Sequence, residues 1–243
     1  MHTSFTISDL PSFISIIGNV KSECERDGNN SELLFRGQQQ DKQLLPKLAR
    51  LNLNGEIKSI EVLMLDEFKR SSLPLIEFEP KDNWDWLALA QHHGLPTRLL
   101  DWTYNALVAL WFVVENSPEK NERGVVWILK TEPSDFRDTE QDTNPLNNKV
   151  TKIFRSRVMS RRISAQSGVF TVHRISDKGK VVQFESNATF REKLIKINIP
   201  AESFASIRKS LKMMGVNHST IFPDIDGLCK HLERRFSKLN DEI

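Results

Sequence analysis

The stretch Gln91-His92-His93-Gly94-Leu95-Pro96-Thr97-Arg98-Leu99-Leu100-Asp101-Trp102 gathers two imidazoles, a hydroxyl, a guanidinium and a carboxylate within twelve residues. An imidazole exchanges a proton near neutral pH, and a guanidinium offers a two-pronged grip on an anion. The flanking sequence decides whether such chemistry is exposed. Trp84 to Gly94 reads as one helix and Thr103 to Asn116 as a second, strongly apolar one. Polar groups held between two buried helices lie near the core, where a charge is costly unless paired. Arg98 and Asp101, three residues apart, are placed to offset one another, and His92 and His93 meet the negative end of a helix dipole. Two readings stand at this point. In one, Arg98 and Asp101 lock the corner, the histidines cap carbonyls and Trp102 fills the core. In the other, the histidines, Thr97 and Arg98 grip an anionic ligand or move a proton.

The remaining elements follow from periodicity and punctuation. Leu10, Phe13, Ile14, Ile17 and Val20 have helical spacing, with Ser8 or Asp9 placed to cap a helix running to about Asp27. Leu33 to Gly37 reads as a short strand ending at glycine, and Ile57 to Ser72 as a helix broken by Pro74. The helix before the corner starts near Asp82 or Asn83, and Gly94 suits its left-handed cap. Gly124–Lys130, Gly168–His173 and Lys193–Ile199 read as strands. Residues 131–149, polar with two prolines, read as a surface loop or mobile insertion. Ala201 to Met214 is a predicted helix stopping at Gly215, and a last helix runs from Pro223 to about Leu239. Helices mostly early and strands mostly late favour an α+β fold, with a mixed, largely antiparallel sheet and terminal helices around it.

Composition excludes several classes. The 243 residues are enough for a core that needs no disulfide or metal, and 39% hydrophobic with 27% charged content is ordinary for a globular chain. Cys24 and Cys229 form neither a zinc motif nor a disulfide framework, which fits a reducing compartment. The start lacks a secretory pattern, and the longest apolar run, Ala106 to Val114, has nine residues, too few to span a bilayer. A cytoplasmic protein without a membrane partner is expected. A net charge of +2 carries little information about partners, and the Arg155, Arg157, Arg161 and Arg162 cluster reads first as a solvated face or loop, with phosphate contact as the alternative.

Phe35-Arg36-Gly37, followed by Gln91-His-His-Gly-Leu-Pro-Thr-Arg-Leu-Leu-Asp-Trp-Thr103, resembles the FRG domain family, found mainly in bacteria and their phages. Arg162-Ile-Ser-Ala165-Gln166-Ser-Gly168-Val-Phe170 and Ile221-Phe-Pro-Asp224-Ile-Asp226-Gly-Leu228 also look similar to it, so the likeness spans roughly residues 32–231. Residues 1–31 are then a helical N-terminal segment and 32–243 the FRG-like domain of one globular unit. The resemblance singles out four groups: Arg36; the His92–Asp101 corner; Gln166 with Gly168; and Asp224 with Asp226. An arginine before a glycine at the end of a strand suits a phosphate. Gln166 beside Gly168 is placed to aim an amide at a ligand near the backbone. Asp224 and Asp226 read first as caps at the start of the last helix.

These groups imply a toxin or phage-defence effector acting on a nucleotide or dinucleotide, with a nucleic-acid or protein acceptor and an antitoxin as expected partners. The preferred form is an NAD-dependent transferase similar to ADP-ribosyltransferases, with Arg36 on the phosphates and Phe170 or Trp102 stacked on nicotinamide. No metal is expected. The sequence offers no serine-threonine-serine segment, and Glu77-Phe78-Glu79 comes too early for the usual glutamate pair. A phosphodiester hydrolase or nuclease with His92 or His93 as base, catalytic alongside Gln166, and a non-catalytic nucleotide- or nucleic-acid-binding module are the alternatives.

Overall fold

The computed structural model describes residues 3–26, 31–76, 79–119, 122–157 and 165–243. Arg161, Arg162, Glu77 and Phe78, which the sequence reading used, lie outside them. Among the described residues one sheet contains seven strands: β1 (Thr3–Thr6), β2 (Leu33–Gln38), β3 (Leu99–Thr103), β4 (Gly124–Lys130), β5 (Lys152–Phe154), β6 (Gly168–Val172) and β7 (Leu194–Ile199). Their order is β1-β7-β4-β2-β3-β6-β5. Only β1 and β7 pair in parallel. The other pairings are antiparallel, so the expected α+β class and largely antiparallel sheet are what the chain adopts.

The helices are α1 (Leu10–Arg26), α2 (Ile57–Ser72), α3 (Asn83–His92), α4 (Ala106–Val114), α5 (Phe204–Met213), α6 (His218–Ile221) and α7 (Ile225–Phe236). Several starts are set by side chains that satisfy free backbone N–H groups. Asp9 accepts from the Ser12 N–H at 2.8 Å, Asp82 from Trp84 and Asp85, and Asn105 from Leu107 and Val108. Gly94, at φ +84°, ends the α3 turn in the left-handed region, as its position after the helix predicts.

One face of the sheet is covered by helices in two groups. Over β2, β4 and β7 lie α1, α4 and α5, and their side chains meet Phe35, Val126, Ile128 and Ile197. Over β3, β5 and β6 lie α2 and α3, against Leu99, Phe154, Phe170 and Val172. The opposite face is closed by connecting segments whose Leu44, Phe184 and Phe190 pack on Leu34, Trp102 and Trp127. Every residue of β4 from Gly124 to Leu129 is buried, as expected of a strand covered on both faces.

Three expectations need correction. The corner does not lie between two helices: Leu99–Thr103 is a central strand, and α4 starts only after the Asn105 cap. A short apolar run has no periodicity long enough to mark a strand, and Leu99–Trp102 therefore reads as a corner before a helix starting near Thr103. Residues 131–149 are not a loose insertion. Thr131 and Asp135 are buried, Asp135 receives Lys193 at 2.8 Å, and the Pro145 and Leu146 carbonyls accept from Arg98. The last helix begins after Asp224 and ends at Phe236, shorter at both ends than predicted. No helix among the described residues is long and apolar enough to cross a membrane.

Candidate functional site

Side chains along β2 alternate between the faces, and the tripeptide Phe35-Arg36-Gly37 uses each position differently. Phe35 enters the core beneath α4. Gly37 lies under the same helix, so close that a Cβ there would sit 1.9 Å from the Ala109 carbonyl oxygen. Arg36, between them, projects toward the other face, in register with Trp127 of β4.

On its other side β2 meets β3 through a single aligned pair, Phe35 with Thr103, whereas six pairs join it to β4. The Arg36 guanidinium bridges this narrow seam. Its Nη1 donates to the Asp101 backbone carbonyl at 2.6 Å and lies 3.8 Å from the Asp101 carboxylate. Its Nε is buried without an acceptor, and no residue accepts from Nη2. Burial pushes Arg36 below the ordinary arginine range; Asp101 counters this, and nearby Arg50 adds to it.

Asp101 is the one exposed residue of β3, with a side chain 56% exposed between buried neighbours. A carboxylate in a central strand reaches solvent only where the covering layer has a gap. Here the cover changes from α2–α3 to α4. Gln91 at the end of α3 donates to Asp101 at 2.9 Å and accepts from Thr97 at 2.7 Å, and Thr97 accepts from the Leu99 N–H. The carboxylate is therefore held in place from helix and strand together.

Behind this notch lies a second polar group. Trp102 Nε1–H donates to Thr171 Oγ1 at 3.0 Å, and Thr171 lies 3.1 Å from His173 Nε2. The Thr171 hydroxyl, with one proton and two lone pairs, thus joins the indole and the imidazole. Burial, with Arg36 and Arg98 adding their positive charge, pushes His173 down to about 3. It stays neutral between two arginines.

The expected Arg98–Asp101 pair is not made. Arg98, 2% exposed, donates through Nε at 2.9 Å and through Nη2 to Glu61 of α2, while Nη1 reaches the Pro145 carbonyl at 2.9 Å. With all three nitrogens engaged, it holds α2 to the start of β3 and has no open edge for a ligand. Phe170 packs 6.4 Å from Phe154, and Trp102 lies against Phe184, both within the core, so neither ring offers a free face to nicotinamide. His92 and His93 meet edge to face at the end of α3, with His93 exposed.

Gln166 is tied to the same strand. Thr103 donates to its backbone carbonyl, and its side-chain amide donates to the Ile221 carbonyl at 3.4 Å. The next residue, Ser167, has φ +48°, a conformation uncommon outside glycine. Beyond Ile221, Asp224 caps α7 by accepting from the Gly227 N–H at 2.9 Å, the ordinary role read from sequence. Asp226 lies in the first turn of that helix. No metal-holding cluster of His, Cys, Asp or Glu occurs among the described residues. Arg36 at Asp101 and Gln166 at Thr103 thus lie along β3, while Asp224 and Asp226 belong to the start of α7.

Residues 31–122 match the FRG domain family. That stretch, about two fifths of the chain, is similar to the FRG domain. The match holds Arg36, the whole Gln91–Trp102 corner, β2, β3 and α4, and stops before Gln166 and Asp224. No curated protein and no solved structure matches the chain. Within that stretch the sequence reading passed over Glu61 and the part played by Gln91. Glu61 was detectable: it falls four residues before buried Leu65 on the inward face of α2. His173 carried no such signal, because Phe184, Arg36 and Arg98 reach it from distant parts of the chain.

Proposed function

We propose that the protein binds a nucleotide at the notch formed by Asp101 and Arg36. The observation that carries this reading is an exposed carboxylate in the middle of the sheet, 3.8 Å from a guanidinium that keeps donors unused. A carboxylate only accepts hydrogen bonds and a guanidinium only donates them. A ligand satisfying both presents hydroxyls beside an anion, as the ribose and phosphate of a nucleotide do. Gln91 and Thr97 act as positioning residues, since both work through Asp101.

NAD fits this arrangement at its ribose and phosphate and does not fit at nicotinamide, because the Phe170 and Trp102 rings are buried. No transfer step is derived from it. Calorimetric titration of the full chain with NAD and ATP tests the binding. Asp101→Asn and Arg36→Lys should each weaken it on the order of tenfold or more, the scale of one charge-assisted hydrogen bond. Absence of binding, or wild-type affinity in Asp101→Asn, overturns the proposal. Chromatography of the incubated nucleotide separates the chemical alternatives: released nicotinamide supports a transferase, phosphodiester cleavage a hydrolase, and unchanged ligand a binding module. The effector role draws support from the family resemblance alone; growth arrest of bacteria by the wild type and not by Asp101→Asn is its test.

A further inference from the structure

The last helix is turned inside out. An amphipathic helix on a protein surface buries its apolar stripe. In α7 the stripe Ile225, Leu228, Leu232 and Phe236 faces solvent, from 41% to 83% exposed, while Lys230, His231 and Arg234 are half-buried on the inward side. Of these, His231 and Arg234 border a cavity of about 430 Å³ between α5, α7 and the end of α4.

The cavity holds more cation than the protein neutralises. Six lysines and arginines line it against two glutamates, Glu115 and Glu242. Glu242 is taken by Arg208, which also bonds Asp241 and the Val114 carbonyl and so fastens the C-terminal turn to α4. Lys209, Lys212 and Lys238 have no hydrogen-bond or ion-pair partner among the described residues, and Arg235 meets only the Phe236 ring. Arg234 reaches Asn116 at 2.6 Å through Nη2, but its Nε–H is buried without an acceptor. Three separate segments (α5, α7 and the residues after it) therefore bring cations to one half-open cavity, and among them the Arg234 Nε–H is buried. A buried donor left unmade is costly, which points to an acceptor from outside the chain.

We propose that this cavity binds a small, multiply phosphorylated ligand of the nucleoside triphosphate kind, independently of the Asp101 notch. Its volume falls within the range of small-molecule sites. The cations converge from several elements and do not line a stripe, which favours a compact polyanion over a nucleic-acid strand. Trp111 contributes an apolar wall, its ring 4.8 Å from His218. The cavity and the notch share no residue: Asp101, Arg36, Gln91 and Thr97 are all absent from the cavity lining.

Glu115 adds a pH dependence. Burial pushes it up to about 7 against the pull of Arg234 and Lys230, and it lies 3.9 Å from His218, itself pushed down to about 4 by burial and by Arg234, Lys230 and His231, with Glu233 opposing. A polyanion is repelled by ionised Glu115, so affinity should fall as pH rises from 6 to 8.

Calorimetry on the full chain uses sodium tripolyphosphate, which has no ribose for Asp101, and Arg36→Lys in parallel removes any share that the notch guanidinium takes. Tripolyphosphate and ATP should bind, and AMP on the order of tenfold more weakly, having fewer charges to pair. The double variant Lys209→Ala with Lys212→Ala, at exposed positions that leave melting unchanged, should lose on the order of tenfold or more in tripolyphosphate affinity. Asp101→Asn should retain it, so failure here and failure of the notch are separately visible. No tripolyphosphate binding, equal affinity in the double variant, or binding of long nucleic acid alone overturns the proposal.

Discussion

A methyl group on Gly37 would fall 1.9 Å from the Ala109 carbonyl oxygen, and the helix backbone cannot give way as a flexible side chain does. Gly37→Ala should therefore lose about 3 kcal/mol or more in urea unfolding, at the upper end for overpacking. Glu115 yields a prediction of opposite sign. Its folded value is raised to about 7 from 4.5, so the stability it leaves intact below pH 4.5 is lost as pH rises through 7. Glu115→Gln should melt like the wild type near pH 4 and above it at pH 8, by on the order of 1–3 kcal/mol. Equal melting at both values would contradict the burial-driven shift. At this scale the sequence disclosed residue types and little of their partners. Arg98 and Arg36 both looked suited to an anion, and only the fold shows that Glu61 consumes one while the seam leaves the other with spare donors.

Between elements, the Arg98–Glu61 pair ties α2 to β3. Removing one partner strands the other as a buried charge, so Glu61→Ala should cost about 3–5 kcal/mol. The double variant Glu61→Leu with Arg98→Met should recover much of that loss. A double-mutant cycle measures the coupling; additive costs would show that the pair acts as two independent side chains. Most elements were legible from their apolar patterning: α2 occupies the predicted Ile57–Ser72, and β4 the predicted Gly124–Lys130. The strands β1, β3 and β5 were not. β1 is exposed along its whole length and shows no alternation, and β5 has three residues. β3 adjoins a helix as apolar as itself, so its strand character comes from pairing with β6, a partner more than sixty residues away.

For the whole molecule, protection should follow cover. Hydrogen exchange should be slowest in β4, which is paired on both sides and buried on both faces, and faster in the edge strands β1 and β5. Uniform exchange across the sheet would show that it opens only as a unit. The candidate site belongs to this scale too. The sequence supplied its groups, but the placing of Arg36 and Gln166 along β3 depends on a topology that brings residues 36, 101, 103 and 166 together, and no local pattern encodes that.

The single Phe35–Thr103 pair between β2 and β3 has a mechanical meaning. Across β2 and β4 a pulling force meets six aligned residue pairs sharing the load; across β2 and β3 it meets one, with the Arg36 guanidinium as a second stitch. Under tension the sheet should tear there first, into a four-strand and a three-strand piece. That line of rupture runs past Asp101.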